Sequence, residues 1–548
     1  MIFETIFFLI FSSLIITSFI GYGQIINTKN QTSSIDNFFF GIIIIAFLVT
    51  IIHFFIRINL FVSLIILFLG LILYLKNSQY FSLKFFKKNK IYLFLFLFLS
   101  PIFISQKYHE DFGYYHLPYV LTMIEQKIIF GLANSNIAYS HNSIWLNIIS
   151  IFTLPKNNFN FLTLPTFLVY FIFIVFCLKK ILEFNKKDIS TYFLIICLFY
   201  FILKFTRISE YGNDLPSSIF SILTIYYFLK YSETTIKQRK YFYFFCCFAF
   251  AIFSILIKFS GIPIFILPAY LLVIDFKILK KEIVKFKYLF ILILCFIFFV
   301  QQFVYTGCFL FPSKLTCINV SWFNDNFLLL RENLELINKS YSSSGNLISK
   351  DDFIRNFNWF PYWLTRNFPE ILEHLITMLL PIIFFKIFFK RINSKNSLSF
   401  ENKKIFYLFV FISFIFWFKF SPVYRFAVPY FLCLVFIITL RFNIIKDFSK
   451  KIFVLLIIFS IFFNFSKNIL RISNNDKIFF GIKKMNNNFF TDNLSENEFI
   501  IVRRPDIESN KENGWQGRLC WDIPFVCSYN EILVNKKNGY LFFSKLNN

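Results

Sequence analysis

Long runs of apolar residues, mostly Phe, Ile and Leu, recur along the whole chain with polar segments between them. About 17–25 apolar residues suffice for a helix to cross a bilayer, so each long run is a candidate transmembrane helix. With 57% hydrophobic and 16% charged residues, the composition excludes an ordinary soluble globule. The sequence predicts an all-α polytopic membrane protein with about 13–14 transmembrane helices. The candidate spans are residues 2–20, 38–56, 58–75, 91–105, 161–178, 189–205, 216–230, 241–257, 260–275, 288–305, 369–386, 405–418, 426–441 and 452–465.

Basic residues divide the loops into two alternating classes. The loops at 76–90, 179–188, 230–240, 276–287, 386–404 and 441–451 carry 28 Lys and Arg in 78 residues. The loops at 106–160, 204–216, 306–368 and 419–425 carry only 13 in 138 residues. Because basic residues accumulate in cytoplasmic loops, the first class is predicted to be cytoplasmic and the second external. The net charge of +26 is therefore a topology signal, and we expect anionic lipids as partners and no nucleic acid.

The ten cysteines follow the same division. Six lie inside candidate spans, where a free cysteine behaves as a small apolar residue. The other four form two close pairs in segments predicted to be external, Cys308 with Cys317 and Cys520 with Cys527. Disulfides persist in an oxidising compartment such as the periplasm, so each pair is predicted to be a disulfide. A zinc site fits less well, because neither pair has a histidine close by in the sequence.

Two parts of the chain differ in composition. Residues 1–465 hold the candidate spans and form the predicted transmembrane domain, with external loops at 106–160 and 306–368. Residues 466–548 are rich in Asn, Lys and Asp and contain two short β-prone runs, at 499–502 and 531–534. This tail is predicted to be a small periplasmic α+β domain, stapled by Cys520 and Cys527 and packed on the membrane part.

Two carboxylates and two imidazoles are concentrated after the candidate span at 91–105, in the segment His109-Glu110-Asp111-Phe112-Gly113-Tyr114-Tyr115-His116. Acidic side chains are costly beside a bilayer and are rarely placed there without a task. Downstream, Pro118 and Gly131 frame a predicted helix from Tyr119 to Phe130 that has one apolar face. A second helix is predicted to begin at Ser143, and both helices are expected to lie along the membrane surface.

An acidic motif after a span, followed by two membrane-parallel helices, resembles the first long external loop of the C-type (GT-C) membrane glycosyltransferases. That superfamily includes the protein O-mannosyltransferases and the aminoarabinose transferases of lipid A. Here Glu110-Asp111 stand at the position of the motif, and Glu210 and Asp214 match a second acidic loop of many members. Arg425 begins a segment similar to their late Arg-aromatic-x-x-Pro motif. The resemblance covers roughly residues 91–442; three extra spans before the motif and the C-terminal tail depart from it.

The resemblance implies a bacterial inner-membrane glycosyltransferase whose active site faces the periplasm. Such an enzyme moves a sugar from a polyprenyl-phosphate-linked donor to a glycan, lipid or protein acceptor of the cell envelope. Asp111, with Glu110 as the second choice, is the expected general base for the acceptor proton. Arg425 is expected to neutralise charge on the donor phosphate. The other expected substrate-binding residues are His116, His141, Glu210 and Asp214, of which the two acids are also candidates for the divalent metal that some family members use.

Simpler interpretations of these residues stay open. The acids favour the start of a helix in any protein, Asp214 is placed to cap the helix that follows, and Arg425 and Lys258 suit the anchoring of span ends. Two other functions also stay open: an O-antigen polymerase or ligase, and a flippase or transporter of lipid-linked glycans. The sequence shows no clear internal repeat of the transporter kind. It also has no ATP-binding P-loop and no dinucleotide-binding glycine motif.

Overall fold

The computed structural model describes residues 2–26, 33–77, 90–104, 111–152, 161–183, 188–205, 212–325, 333–345, 348–388, 402–441, 450–474, 489–492, 502–506, 508 and 518–545. Within these ranges the chain is mostly helical, with short strands near the C-terminal end. Every candidate span overlaps a described helix, so the predicted helical class is confirmed.

The α-helices are α1 (Ile2–Ile26), α2 (Ser34–Phe55), α3 (Leu60–Asn77), α4 (Lys90–Leu99), α5 (Pro101–Ile104), α6 (Leu117–Glu125), α7 (Ile144–Ile149), α8 (Leu164–Leu182), α9 (Ile189–Lys204), α10 (Asp214–Glu233), α11 (Lys237–Ile257), α12 (Ile266–Ile274), α13 (Phe276–Ile283), α14 (Phe286–Thr306), α15 (Lys350–Arg355), α16 (Trp359–Phe388), α17 (Lys403–Phe420), α18 (Val428–Arg441) and α19 (Lys450–Asn474). A π-helical turn spans Phe112–His116. Short 3-10 helices connect other elements, at Leu132–Asn134, Ile137–Ser140, Ser150–Phe152, Phe259–Phe265, Lys314–Thr316, Tyr341–Ser344 and Tyr424–Phe426.

Six of the described helices are long and apolar enough to cross a membrane, namely α1, α2, α8, α11, α14 and α19. A seventh is added if residues 259–274 and α13, which meet at a bend of 108°, count as one span. Four further apolar stretches of helix are shorter, at 10–17 residues. The protein is therefore a multi-pass membrane protein, and the number of helices that meet this criterion is below the number of spans predicted from sequence.

Local sequence signals set several helix starts. The Ser33 hydroxyl accepts a hydrogen bond from the backbone N–H of Asp36, and the Asp36 carboxylate accepts one from the backbone of Ser33, which forms a capping box before α2. Ser143 accepts a hydrogen bond from the backbone N–H of Trp145 and so starts α7 where the sequence predicts a helix.

The helices pack into one continuous apolar core. α1 packs on α2 and α3, and α9 lies centrally against α8, α10, α16, α18 and α19. α10 and α11 form a close pair that the short turn 234–236 joins. Because these two helices run antiparallel, the first residue of α10 lies beside the residue that follows α11, which positions part of the candidate site.

The tail contains two antiparallel hairpins. β1 (Phe489–Asp492) pairs with β2 (Val502–Pro505), and β3 (Ile532–Lys537) pairs with β4 (Tyr540–Lys545). The turn between β3 and β4 is Asn538-Gly539, with φ of 51° and 75°, the conformation that Asn-Gly favours in a two-residue hairpin. The β-prone run at 531–534 is confirmed by β3; residues 499–501 of the other run lie outside the described residues, while Val502 begins β2.

β4 docks on the loop at 106–160 through Phe130. The Phe130 N–H donates to the Leu541 carbonyl at 2.9 Å, and the Phe543 N–H donates to the Phe130 carbonyl at 2.8 Å. The predicted first surface helix is therefore wrong in its last turn: α6 ends at Glu125, and residues 126–130 run toward β4 instead of continuing the helix. Tertiary strand pairing here overrides a helical sequence pattern.

The two short helices α6 and α7 are present as predicted, but other helices bury them. Tyr119 of α6 and Trp145 of α7 are fully buried, and Thr122, predicted on a polar face, is buried as well. The Tyr119 hydroxyl donates to Asn147 Oδ1 at 2.8 Å, and Asn147 Nδ2 donates to Gln301 Oε1 of α14 at 3.0 Å. These buried polar contacts fix the loop at 106–160 against the helices.

Candidate functional site

Asp111 directly precedes the π-helical turn Phe112–His116, which continues without a break into α6. Trp521 of the tail covers this turn, and the backbone N–H of Trp521 donates to the Gly113 carbonyl at 2.9 Å. A Cβ atom at Gly113 would collide with the Trp521 indole, so only glycine permits this approach. The tail thus packs on the turn that carries Asp111.

Arg425 lies in the 3-10 helix Tyr424–Phe426, directly before α18. Its neighbour Tyr424 is buried and anchors the turn. The Tyr424 hydroxyl is 3.2 Å from the Tyr200 hydroxyl, and the Tyr424 ring packs at a tilt against His374 with the centroids 3.8 Å apart. Tyr200 also contacts His374 Nδ1 at 2.8 Å. With its neighbour fixed in this way, Arg425 keeps a defined position while 43% of its side chain stays exposed.

Asp214 and Lys258 meet because α10 and α11 are antiparallel. Asp214 is the first residue of α10, and Lys258 follows α11 and donates its N–H to the Ser254 carbonyl at 3.0 Å. Near this end Ser221 and Ser254 join the two helices, with their hydroxyl oxygens 2.7 Å apart. The Lys258 ammonium contacts Asp214 Oδ1 and lies 3.5 Å from the centre of the Phe426 ring, a cation–π contact.

Asp111, Asp214, Lys258 and Arg425 form one group that we call the charge cluster. Arg425 contacts both acids: its Nε lies 3.3 Å from Asp214 Oδ2, and its Nη2 lies 3.9 Å from Asp111 Oδ2. Asp214 is therefore held by two cations, whereas Asp111 makes the longer of the two contacts with Arg425. The four side chains are between 25% and 43% exposed, so a ligand has access to the cluster.

Burial and the neighbouring charges shift the pKa values of Asp214 and Lys258. Burial raises the pKa of Asp214, but Lys258 and Arg425 lower it by more, so the pKa lies below its usual 3.8. The pKa of Lys258 is lowered from its usual 10.5. Burial and repulsion from Arg425 lower it by more than the attraction of Asp214 raises it. Because Arg425 stays protonated at any practical pH, Lys258 is the cation whose proton is held less tightly. An added anion would stabilise both cations.

A small cavity opens beside Asp214, Lys258 and Arg425, and serine residues form much of its wall. The cavity has a volume of about 10 Å³, which is the room that one water molecule needs. A single oxygen of a hydroxyl or phosphate group fits there. A sugar ring does not, so a sugar would have to bind over the exposed faces of Asp111 and Arg425.

Three of the residues predicted from sequence come together here, namely Asp111, Asp214 and Arg425. Glu110 and Glu210 lie outside the described residues. His116 is buried within the π-helical turn, where its ring lies 4.2 Å from that of Tyr115.

Among the described residues, no hydrogen bond or ion pair joins His141 to the charge cluster. The His141 ring packs edge-on against Phe311 with the centroids 5.2 Å apart. Partial removal from bulk water and the positive charge of Lys258 lower the pKa of His141 to about 4, although the residue keeps an exposed face. At neutral pH its imidazole is therefore uncharged, and it can either donate or accept a hydrogen bond.

The described residues do not fit a bound divalent metal. No group of three or more His, Cys, Asp or Glu side chains converges among them. The two acids of the charge cluster, Asp111 and Asp214, both contact Arg425, which supplies positive charge where a metal would.

Lys258 is the member of the charge cluster that was not predicted as a site residue from the sequence. The sequence interpretation treats it as a span anchor, whereas the structure pairs it with Asp214, 44 residues earlier in the chain. No local motif links the two positions. The antiparallel pairing of α10 and α11 is the signal that would have predicted the contact.

Both predicted disulfides are present, Cys308–Cys317 and Cys520–Cys527, and the other six cysteines are free. Both disulfides lie at the end of the molecule that carries the charge cluster. Phe311, inside the first disulfide loop, packs on His141, and Trp521, inside the second, covers Gly113.

A family model for a domain of unknown function, DUF8201, matches residues 1–432. This range includes every residue of the charge cluster and ends before α19 and the strands of the tail. No curated protein and no solved structure matches the chain. Since the matched range is well over half of the 548 residues, the chain belongs to the DUF8201 family.

Proposed function

We propose that this protein is a GT-C-type glycosyltransferase of the bacterial inner membrane, with 13 or 14 spans and the charge cluster on the periplasmic face. It would transfer a sugar from a polyprenyl-phosphate-linked donor to a cell-envelope glycan, lipid or protein. The observation that carries the proposal is the convergence of Asp111 and Arg425, with a separation of 3.9 Å between carboxylate and guanidinium. These two residues come from the motifs on which the sequence resemblance rests.

Two further observations support the proposal. Two short helices follow Asp111 in the chain, in the order that the resemblance implies. Both disulfides lie at the end of the molecule where the charge cluster lies, which agrees with an oxidising compartment on that side.

Arg425 and Lys258 are the groups that would receive the donor phosphate. A guanidinium presents a planar fork of donors that matches two phosphate oxygens, and Lys258 adds a point charge. The Arg425–Asp111 contact of 3.9 Å is longer than a hydrogen bond, so a phosphate can displace it at little cost. Asp214 keeps both cations in place while Asp111 turns toward the acceptor.

In the transfer step, the acceptor hydroxyl oxygen forms a bond to the anomeric carbon of the sugar. The bond from that carbon to the phosphate oxygen breaks, and its electron pair leaves with the polyprenyl-linked phosphate. Asp111 takes the hydroxyl proton as general base. Arg425 and Lys258 neutralise the negative charge that develops on the leaving group. Neutral His141 is suited to orient the acceptor, whereas roles for Glu110, Glu210 and His116 rest on the sequence resemblance alone.

The test compares envelope glycans of a deletion strain that carries wild-type protein or the Asp111→Asn variant at matched membrane abundance. Asparagine keeps the size of the side chain but cannot accept the proton, so we expect transfer to fall by about 10²–10⁴-fold. Asp351→Asn, a change at an exposed acid in α15, is the matched control and should retain full transfer. Full transfer by Asp111→Asn would contradict the assignment of the base.

A lipid-linked-glycan transporter is the second candidate, because Lys258 is followed directly by a broken helix. Residues 259–274 and α13 meet at 108°, and discontinuous helices often form substrate sites in transporters. Purified protein in liposomes separates the two functions. A glycosyltransferase makes a new glycosidic bond that mass spectrometry detects, whereas a transporter moves the intact donor across the bilayer without changing its mass.

A further inference from the structure

A second and much larger cavity lies at the opposite end of the same helices. α10 begins at Asp214 in the charge cluster and ends at Glu233, 20 residues in all. At 1.5 Å per residue, roughly 30 Å separates the two ends. The cavity has a volume of about 740 Å³, which is within the range of small-molecule sites.

Four cationic side chains line this second cavity: Lys179, Lys180, Lys230 and Arg239. Lys230 has acidic partners, with its Nζ 3.1 Å from Asp188 and 3.2 Å from Glu233. Among the described residues, no ion pair joins the other three cations to a carboxylate. Lys179 and Lys180 are only partly exposed, and a partly desolvated cation gains from a bound anion.

Two of the acids that line the cavity are already engaged. Asp36 accepts a hydrogen bond from the Tyr227 hydroxyl at 2.5 Å and also caps α2, and Asp188 pairs with Lys230. Glu183 is exposed at the rim. Asp36 and Asp188 are therefore committed to other partners, and among the described residues no ion pair joins Glu183 to Lys179, Lys180 or Arg239.

Aromatic side chains form another wall of the cavity, which includes Tyr226, Phe242 and Tyr243. They give an apolar surface on which a group attached to an anion can rest. Lys179 and Lys180 lie in the last turn of α8, where the helix dipole favours cations in any case. That effect explains neither Arg239, which α11 contributes, nor the size of the cavity.

We propose that this basic cavity binds a phosphate-bearing ligand. Lysine and arginine side chains without carboxylate partners make charge-assisted hydrogen bonds to phosphate oxygens, and the aromatic wall holds the attached group. The ligand is either a soluble phosphate compound or the headgroup of an anionic lipid, since both present the same chemistry. The site is separate from the charge cluster and does not depend on the proposed glycosyl transfer.

Two binding measurements on the full-length protein distinguish the sources. In one, sodium pyrophosphate is titrated into detergent-solubilised protein and its heat of binding is measured. In the other, the protein is placed in nanodiscs of phosphatidylcholine with or without phosphatidylglycerol, and native mass spectrometry counts the lipids that stay bound. We expect saturable binding in at least one measurement, and we expect K179Q/K180Q to weaken it at least tenfold.

The matched control is K280Q/K281Q, which removes the same charge from exposed lysines of α13 that do not line the cavity. This control should bind like wild type, and K179R/K180R should retain binding because both charges remain. Equal weakening by the two glutamine pairs would show diffuse surface attraction and overturn the proposal. Absence of binding in both measurements would overturn it as well. Asp111→Asn should leave the binding unchanged, which separates this site from the charge cluster.

Discussion

The guanidinium of Arg425 reaches the carboxylate of Asp214, with Nε 3.3 Å from Oδ2, although the two residues belong to distant parts of the chain. The same guanidinium faces Asp111 on its other side. One arginine thus links the start of α10 to Asp111, which precedes the π-helical turn in the loop at 106–160. Its shape matters here more than its charge, because only a branched, planar side chain reaches both acids.

Arg425→Lys keeps the charge but removes the fork. We expect sugar transfer to fall by about ten- to a hundredfold, and much of this loss should appear as weaker binding of the donor. Thermal unfolding should change little, since a half-exposed ion pair contributes about 0–1 kcal/mol. Transfer assays with varied donor concentration, alongside thermal unfolding in detergent, make the comparison. Arg366→Lys, a change at an exposed arginine of α16, is the control, and an equal loss in that variant would remove the special role of Arg425.

Asp214→Asn should lower stability in a pH-dependent way. The folded state lowers the pKa of Asp214 below 3.8, so its carboxylate stabilises the fold above that pH. The contribution is lost as the pH falls through the lower, folded-state pKa. We expect the variant to be less stable than wild type by about 1–2 kcal/mol at pH 7, because Lys258 and Arg425 lose their shared anion. Unfolding curves from neutral pH down to pH 3 and below should converge; a difference that stays constant would argue against the ion pairs as the cause.

Gly113→Ala should detach the tail from the turn that follows Asp111. The new methyl group collides with the Trp521 indole, and such overpacking commonly lowers stability by about 1–3 kcal/mol. Transfer should also fall, because the position of Asp111 depends on this turn. Trp521→Ala in the same chain removes the collision, so a double-mutant cycle should show strong coupling between the two sites. Additive effects would mean that the tail does not fix the turn.

Removal of either disulfide should lower stability by about 2–3 kcal/mol, the value expected for loops this short. The two bonds should differ in their effect on activity. C520S/C527S loosens the segment that places Trp521 on Gly113, whereas C308S/C317S acts on a loop that contacts His141 through Phe311. Peptide mapping without reductant, thermal unfolding and transfer assays together test this. Free thiols at all four positions of native protein would contradict the pairing.

The loop at 106–160 and the tail should be on one side of the membrane, and the loop at 386–404 on the other. The first part follows from the backbone hydrogen bonds of Phe130 with β4, and the second from the distribution of lysine and arginine. Labelling of single introduced cysteines with a membrane-impermeant reagent measures the sidedness. Cytoplasmic labelling within 106–160 would contradict the proposed periplasmic site.

Local sequence patterns were sufficient to predict several features of the fold and of the site. Apolar runs predict the helices, and a proline and a serine predict the starts of the two short helices after Asp111. The cysteine pairs were predicted correctly because close spacing and shared loop class both indicate a bond. Asp111, Asp214 and Arg425 were selected as site residues through the resemblance to a family, and the structure brings them into contact.

Features that depend on distant contacts were missed. Residues 126–130 have a helical pattern. They do not continue α6, because Phe130 pairs with β4, more than 400 positions later in the chain. In the sequence, Lys258 has the properties of a span anchor. Its contact with Asp214 depends on the packing of α10 against α11, which the sequence does not specify. Residues of several separate helices line the cavity at the far end of α10, so no single sequence segment predicts it.

The pairing of Phe130 with β4 has a consequence for biosynthesis. All the described helices leave the ribosome before residues 540–545, so the strand that holds the early loop is translated after everything it contacts. Insertion of the described helices can therefore precede the pairing of Phe130 with β4, which supports the loop that follows Asp111. A nascent chain in this state is inserted but immature, and the β3–β4 hairpin can close over the loop only after β4 has left the ribosome.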